Sequence, residues 1–95
     1  MLLGDVIANF QDPAFAGEAM LTLDDLALTA RIAAAATDEN LSLGEFAVQL
    51  LGQFVNNASD EEWVALIGLM SKSDNPGQVF LRRILTNGLA SHATA

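Results

Sequence analysis

Residues 42–54 read SLGEFAVQLLGQF and carry the clearest fold signal in the chain. Ser42 and Glu45 form an S-x-x-E capping box, in which the serine hydroxyl accepts a hydrogen bond from the glutamate amide and the glutamate carboxylate accepts one from the serine amide. Apolar side chains then recur every three or four residues, which predicts an amphipathic helix. Gly52 inside it, like Gly68 in the next predicted helix, suggests close approach by another backbone. The apolar positions are Leu43, Phe46, Ala47, Leu50, Leu51 and Phe54.

Similar start signals divide the rest of the chain. Residues 59–62 form a second S-x-x-E box. Residues 22–25 form a T-x-x-D box, which we interpret as a helix start with Leu21 and Leu26 as the hydrophobic staple around it. Proline stands at positions 13 and 76, where a first helical turn accepts it. The predicted helices span residues 2–11, 13–20, 23–36, 43–56, 60–72 and 76–90.

The composition describes a chain with more apolar surface than a small domain buries. Hydrophobic residues make up 52% of the 95 residues and charged residues 17%, against roughly 45–50% and about 25% in typical domains. We predict one all-α domain over residues 1–90, a compact orthogonal bundle of five to six short helices, followed by a disordered C-terminal tail at 91–95. The surplus apolar residues favour contact with a partner.

The charge balance excludes several classes of partner. The 12 acidic and 4 basic residues give a net charge of −8, so the chain repels nucleic acids and anionic membranes and attracts a basic partner. No apolar run reaches the roughly 18 residues of a membrane span, the first residues lack the pattern of a secretory signal, and cysteine is absent. These features predict a cytoplasmic protein that binds neither nucleic acid nor membrane.

The residues of the common catalytic and metal sites are missing. The chain has a single histidine, His92, and no cysteine or tyrosine, which leaves no complete nucleophile–base arrangement and too few ligands for zinc. The carboxylates at 24–25 and 60–62 fall in first helical turns, where negative charge offsets the exposed amide dipoles. We therefore predict no enzymatic activity, no metal site and no cofactor.

The predicted third helix is apolar on two sides, one with Leu26 and Ala30 and the other with Leu28 and Ile32. Such a helix is central in its bundle or takes part in a subunit contact. Arg31 lies between the two sides and is expected to be partly buried. On the fifth helix, the residues predicted to face the core are Trp63, Leu66, Ile67 and Met70. The leading hypothesis is an interaction module that forms a homodimer or binds another protein through a surface made by Leu28, Arg31, Ile32, Ala35 and Leu69.

The alternative is a small-ligand or acyl-type carrier domain with an apolar pocket between helices. Arg82 and Arg83 are then the predicted contacts for an anionic ligand. The sequence at Ser42 and Leu43 resembles the phosphopantetheine attachment site of acyl carrier proteins, which usually reads Asp-Ser-Leu, but Leu41 stands in place of the aspartate. The resemblance implies a prosthetic group on Ser42, whereas the capping box gives the same serine a structural role.

Overall fold

The computed structural model describes residues 3–94, with side chains for residues 4–90. In this part of the chain, six α-helices and no strand form a compact bundle of 34 × 26 × 22 Å, which confirms the predicted all-α fold. The helices are α1 (Leu3–Phe10), α2 (Pro13–Leu21), α3 (Leu26–Asp38), α4 (Leu43–Asn57), α5 (Asp60–Ser71) and α6 (Pro76–Thr94). None of the helices described is long and apolar enough to cross a membrane.

The predicted starts of α4 and α5 are confirmed. At α4 the backbone N–H of Glu45 donates to Ser42 Oγ at 3.1 Å, and the N–H of Ser42 donates to the Glu45 carboxylate at 3.0 Å. At α5 the N–H of Glu62 donates to Ser59 Oγ at 3.1 Å, which is the serine half of the predicted capping box. These contacts satisfy amide groups that a helix start otherwise leaves unpaired. The two prolines begin α2 and α6, also as predicted.

The predicted start of α3 is wrong. The helix begins at Leu26 rather than at 23, because the carboxylate of Asp25 accepts a hydrogen bond from the N–H of Leu28 at 3.0 Å and caps the helix there. Thr22 belongs instead to the end of α2, where its hydroxyl donates to a carbonyl oxygen of the last helical turn at 2.7 Å. Leu21 and Leu26, the predicted staple, are 72% and 86% exposed.

Helix α4 lies at the centre of the bundle and packs against α1, α2, α3 and α6. Its apolar stripe faces the core as predicted, with Phe46 fully buried. Gly44 permits a close approach to α2, because a Cβ atom there would lie 2.7 Å from the carbonyl carbon of Pro13. A Cβ atom at Gly52 or Gly68 would have no such neighbour within 4 Å, so the prediction of backbone crowding at these two positions is wrong.

Side chains of helix α6 donate hydrogen bonds to the turn between α2 and α3. Nη1 of Arg82 donates to the Asp25 carboxylate at 2.6 Å, and Nη2 donates to the carbonyl oxygen of Leu23 at 3.0 Å. One turn earlier, Nε2 of Gln78 donates to the carbonyl oxygen of Thr22 at 3.1 Å. These contacts join parts of the chain that lie 56 to 59 residues apart in sequence, so α6 contacts the turn that follows α2.

The end of α6 differs from its prediction. The helix continues to Thr94 rather than stopping near residue 90. The predicted disordered tail at 91–95 concerns residues whose side chains, including that of His92, lie outside the described part of the chain.

Candidate interaction surface

Helix α5 lies at the edge of the bundle and packs mainly against α6. It reaches α4 through an aromatic contact, in which the ring of Trp63 meets that of Phe54 edge-on with ring centroids 5.0 Å apart. Every residue of α5 is described, and among its 12 residues Leu66 alone is fully buried. A helix held along one narrow line leaves most of its circumference facing solvent.

Four apolar side chains of α5 form a continuous outer surface, here named the α5 face: Trp63, Val64, Ile67 and Met70. Val64 and Ile67 are three residues apart, which makes them neighbours on the helix, and they are 70% and 48% exposed. Trp63 and Met70 flank Ile67, are half-buried and pack against the core. A single exposed apolar side chain is ordinary, but a helically spaced group is typical of a docking surface.

The N-terminal end of the α5 face is acidic. Asp60, Glu61 and Glu62 are all exposed and make up the first turn of the helix. At 100° per residue, Asp60 projects between Ile67 and Val64, and Glu61 lies about 60° beyond Val64. Glu61 and Glu62 also line a groove against α6 together with Arg83. The carboxylates stabilise the helix dipole and also give the α5 face a negative border.

Ile67 of the α5 face was expected in the core, but its side chain is 48% exposed. The apolar residues of α5 spread from Leu69 through Leu66 to Val64, an arc of about 220° at 100° per residue. A core-facing stripe is closer to about 100° wide. An arc this wide exceeds what one neighbouring helix covers, and its width is the signal that predicts an exposed apolar surface on α5.

The predicted contact surface is wrong on α3. Leu28, Ile32 and Ala35 are buried in the core of the chain itself, so a partner has no access to them. The side of α3 that carries Leu26 faces solvent instead. Both sides of α3 have helical apolar spacing. The side with Leu28 and Ile32 carries two large aliphatic residues, so packing this side against the core removes more apolar area from water. Arg31, expected to be partly buried, is exposed.

The structure brings together the three remaining predicted site residues. Leu69 is 48% exposed and lies about 160° around α5 from Ile67. With Arg82 and Arg83 it lines a groove of about 450 Å³ between α5 and α6. Arg82 is already bound to the carboxylate of Asp25, so an anionic ligand would have to compete with this ion pair.

The Asp25 carboxylate is held in its ionised form by its hydrogen bonds. The N–H of Leu28 is the main cause that lowers the pKa of Asp25, and the hydrogen bond and positive charge of Arg82 lower it further. The pKa of Glu45 is lowered in the same way by the backbone N–H of Ser42. Both carboxylates therefore act as structural groups at helix starts.

Arg83 also lines a larger groove between α4, α5 and α6, with a volume of about 530 Å³. Three carboxamide side chains, those of Gln53, Asn57 and Asn87, lie along it, and Phe54 is among its apolar residues. This mixed lining differs from the apolar pocket between helices that the carrier hypothesis predicts.

Known proteins offer no guide to the function of this chain, so the functional assignment depends on the α5 face. No known protein family, no characterised protein and no solved structure matches the chain. Among the residues described, no three acidic or histidine side chains form a group that could hold a metal ion.

Proposed function

We propose that the protein is a non-catalytic interaction module that binds another protein through the α5 face. The observation that carries this proposal is the exposure of Val64 and Ile67, one helical turn apart, beside Trp63 and Met70 that continue the same surface into the core. A docked partner would remove this apolar area from water and gain about 25 cal/mol per Å² of it. We also propose a cytoplasmic location for the module, as expected from its sequence.

Self-association is the second form of this proposal. An isologous contact would pair the α5 faces of two copies about a two-fold axis. Light scattering at micromolar concentration separates the two forms, since a monomer has a mass of 10.0 kDa and a dimer twice that mass.

The α5 face is tested by a double substitution, V64S together with I67S, which removes its apolar character at exposed positions. The matched control is L21S with L26S, because these two leucines are at least as exposed but lie on α2 and α3. Tagged wild type and both variants are used to capture proteins from source cells, and the captured proteins are quantified by mass spectrometry. We expect a specific protein that wild type and the control retain and the α5 variant loses. Equal capture by all three folded proteins would overturn the proposal.

The ligand-binding alternative would use the open groove of about 530 Å³ that Arg83 lines. Native mass spectrometry of protein purified from source cells tests it, and a bound small molecule lost on substitution of Arg83 would favour it. Intact mass after incubation with a phosphopantetheinyl transferase tests the carrier form, in which Ser42 gains the prosthetic group.

A further inference from the structure

We infer that the occupant of the α5 face is a cationic amphipathic helix of another protein, which packs antiparallel to α5. This inference rests on the proposed function and adds the chemistry of the partner. It follows from three properties of the surface: its negative border, the placement of the chain's own basic residues, and its length.

The negative border lies where a docked helix would end. Asp60 and Glu61 are exposed and lie beside Val64 at the N-terminal end of the face. A partner that brings an apolar side chain onto Val64 also brings its neighbouring side chains within reach of both carboxylates. Lysine or arginine at that position would form favourable ion pairs, whereas acidic side chains would repel.

One basic residue approaches this border, because Arg83 lines a groove together with Glu61 and Glu62. Asp60 lies on the other side of Val64 and is directed toward the α5 face. Arg82 and Arg83 line grooves on the flank of α5 that carries Leu69, and Arg82 is bound to Asp25. Lys72 lies about 140° around the helix from Ile67. One arginine near three carboxylates leaves the border with a net negative charge, which a cationic partner would complement.

A second copy of the chain fits this surface poorly. Each copy has a net charge of −8, so two copies repel one another over the range of the Debye length. In an antiparallel pair of α5 helices, Asp60 and Glu61 of one copy would approach residues 71–74 of the other, where Lys72 is offset by Asp74. Pairing of the two faces would place each acidic border beside a segment that offers no cluster of positive charge.

The length and polarity of α5 define the partner helix. The 12 residues of α5 extend about 18 Å, which suits a helix of three to four turns with apolar residues at i, i+3, i+4 and i+7. Antiparallel packing places the C-terminal end of the partner helix beside Asp60. Basic residues are favoured at a helix C-terminus by its own dipole, so this orientation satisfies both helices.

The test uses two synthetic amphipathic helical peptides of about four turns, identical in their leucine positions, one with lysine and one with glutamate at the polar positions. Trp63 is the single tryptophan of the chain and part of the α5 face, so its fluorescence reports binding at that place. We expect the lysine peptide to change the emission of Trp63 at micromolar concentration and the glutamate peptide to leave it unchanged.

Three double variants separate the contributions. D60N with E61Q removes the border charge, and we expect about threefold to tenfold weaker binding of the lysine peptide, as two exposed ion pairs would give. V64S with I67S removes the apolar contact, and we expect binding to be lost. The matched control, D5N with E18Q, removes the same charge from exposed positions on α1 and α2, and we expect binding close to that of wild type. Circular dichroism checks that each variant is folded.

Each failure has a distinct meaning. Equal binding of both peptides, or of the lysine peptide by the D60N/E61Q variant, would overturn the cationic partner while leaving the α5 face as a docking surface. Retained binding by the V64S/I67S variant, or equal weakening by the D5N/E18Q control, would overturn the inference by showing attraction to the overall negative charge alone. A wild-type dimer that V64S/I67S converts to monomer would overturn it in favour of a second copy, and the proposed function would stand.

Discussion

Two glycines of α4, Gly44 and Gly52, differ in what a side chain at each would meet. A Cβ atom at Gly44 would overlap the backbone of Pro13 on α2, and backbone atoms cannot move aside as a flexible side chain can. Gly52 faces open space, where alanine is the better helix former.

We expect Gly44→Ala to lower the free energy of unfolding by about 3 kcal/mol or more. We expect Gly52→Ala to raise it by about 0.5–1 kcal/mol. Urea unfolding followed by circular dichroism measures both changes, and each variant serves as the control for the other. A stable Gly44→Ala protein would contradict the close packing of α2 on α4.

The caps of α3 and α4 give residue-specific predictions for stability. Ser42→Ala removes the hydroxyl that accepts from the Glu45 amide and should cost about 1 kcal/mol. Ser42→Asp keeps an acceptor at the cap and should retain most of the stability. Thermal unfolding of the three proteins measures the difference, and equal melting temperatures for wild type and Ser42→Ala would rule out the capping role.

Asp25 makes stability depend on pH. Its pKa in the folded protein is lowered by the Leu28 N–H and by Arg82, so the ionised form stabilises the fold above the unfolded pKa of about 3.9. This contribution is lost as the pH falls through the lowered folded-state pKa. We expect Asp25→Ala to melt below wild type at pH 7, with the gap closing in strong acid. Asp25→Asn keeps the cap without the charge and should lie between them. A gap that persists unchanged in strong acid would disprove the electrostatic part.

Capping residues read from the sequence predict a helix start correctly where the cap bonds only to nearby residues. The Ser42 and Ser59 caps are predicted correctly because their hydrogen bonds span three residues. Thr22 is assigned wrongly because residues 22–25 offer two competing caps. The carboxylate of Asp25 also pairs with Arg82, 57 residues later in the chain, and this contact is outside the reach of a local pattern.

Helical periodicity predicts that a helix is amphipathic but does not choose between two apolar sides. On α3, Leu26 and Leu28 both belong to apolar stripes, and packing against the rest of the bundle buries Leu28 and leaves Leu26 in solvent. On α5 the apolar residues extend over a wide arc, and Ile67 lies on the part of that arc that is exposed to solvent. The choice depends on where neighbouring helices lie, which a single sequence does not contain.

Leu66 and Ile67 on α5 test this division between core and surface. Leu66 is fully buried, and Leu66→Ala should cost about 2–5 kcal/mol. Ile67→Ala, at a half-exposed position on the same helix, should cost about 1 kcal/mol or less. Chemical denaturation measures both, and equal costs would contradict the placement of α5.

The molecule as a whole carries more negative charge than its few basic residues balance, with a net charge of −8. Repulsion among the carboxylates destabilises the compact state, and salt screens it as the Debye length falls from about 30 Å at 0.01 M to about 3 Å at 1 M. We expect the melting temperature at pH 7 to rise with sodium chloride concentration. Potassium chloride should have the same effect, since screening depends on ionic strength. A melting temperature that falls with either salt would contradict this account.

The contacts of Arg82 and Gln78 with the α2–α3 turn can form only after α6 has been synthesised. Ribosomes release a chain from its N-terminus onward, so α1 to α3 emerge before the segment that locks their turn exists outside the exit tunnel. The core positions of those first helices stay accessible to chaperones until α6 follows. We therefore expect the bundle to close in one step once α6 has left the exit tunnel, rather than helix by helix as synthesis proceeds.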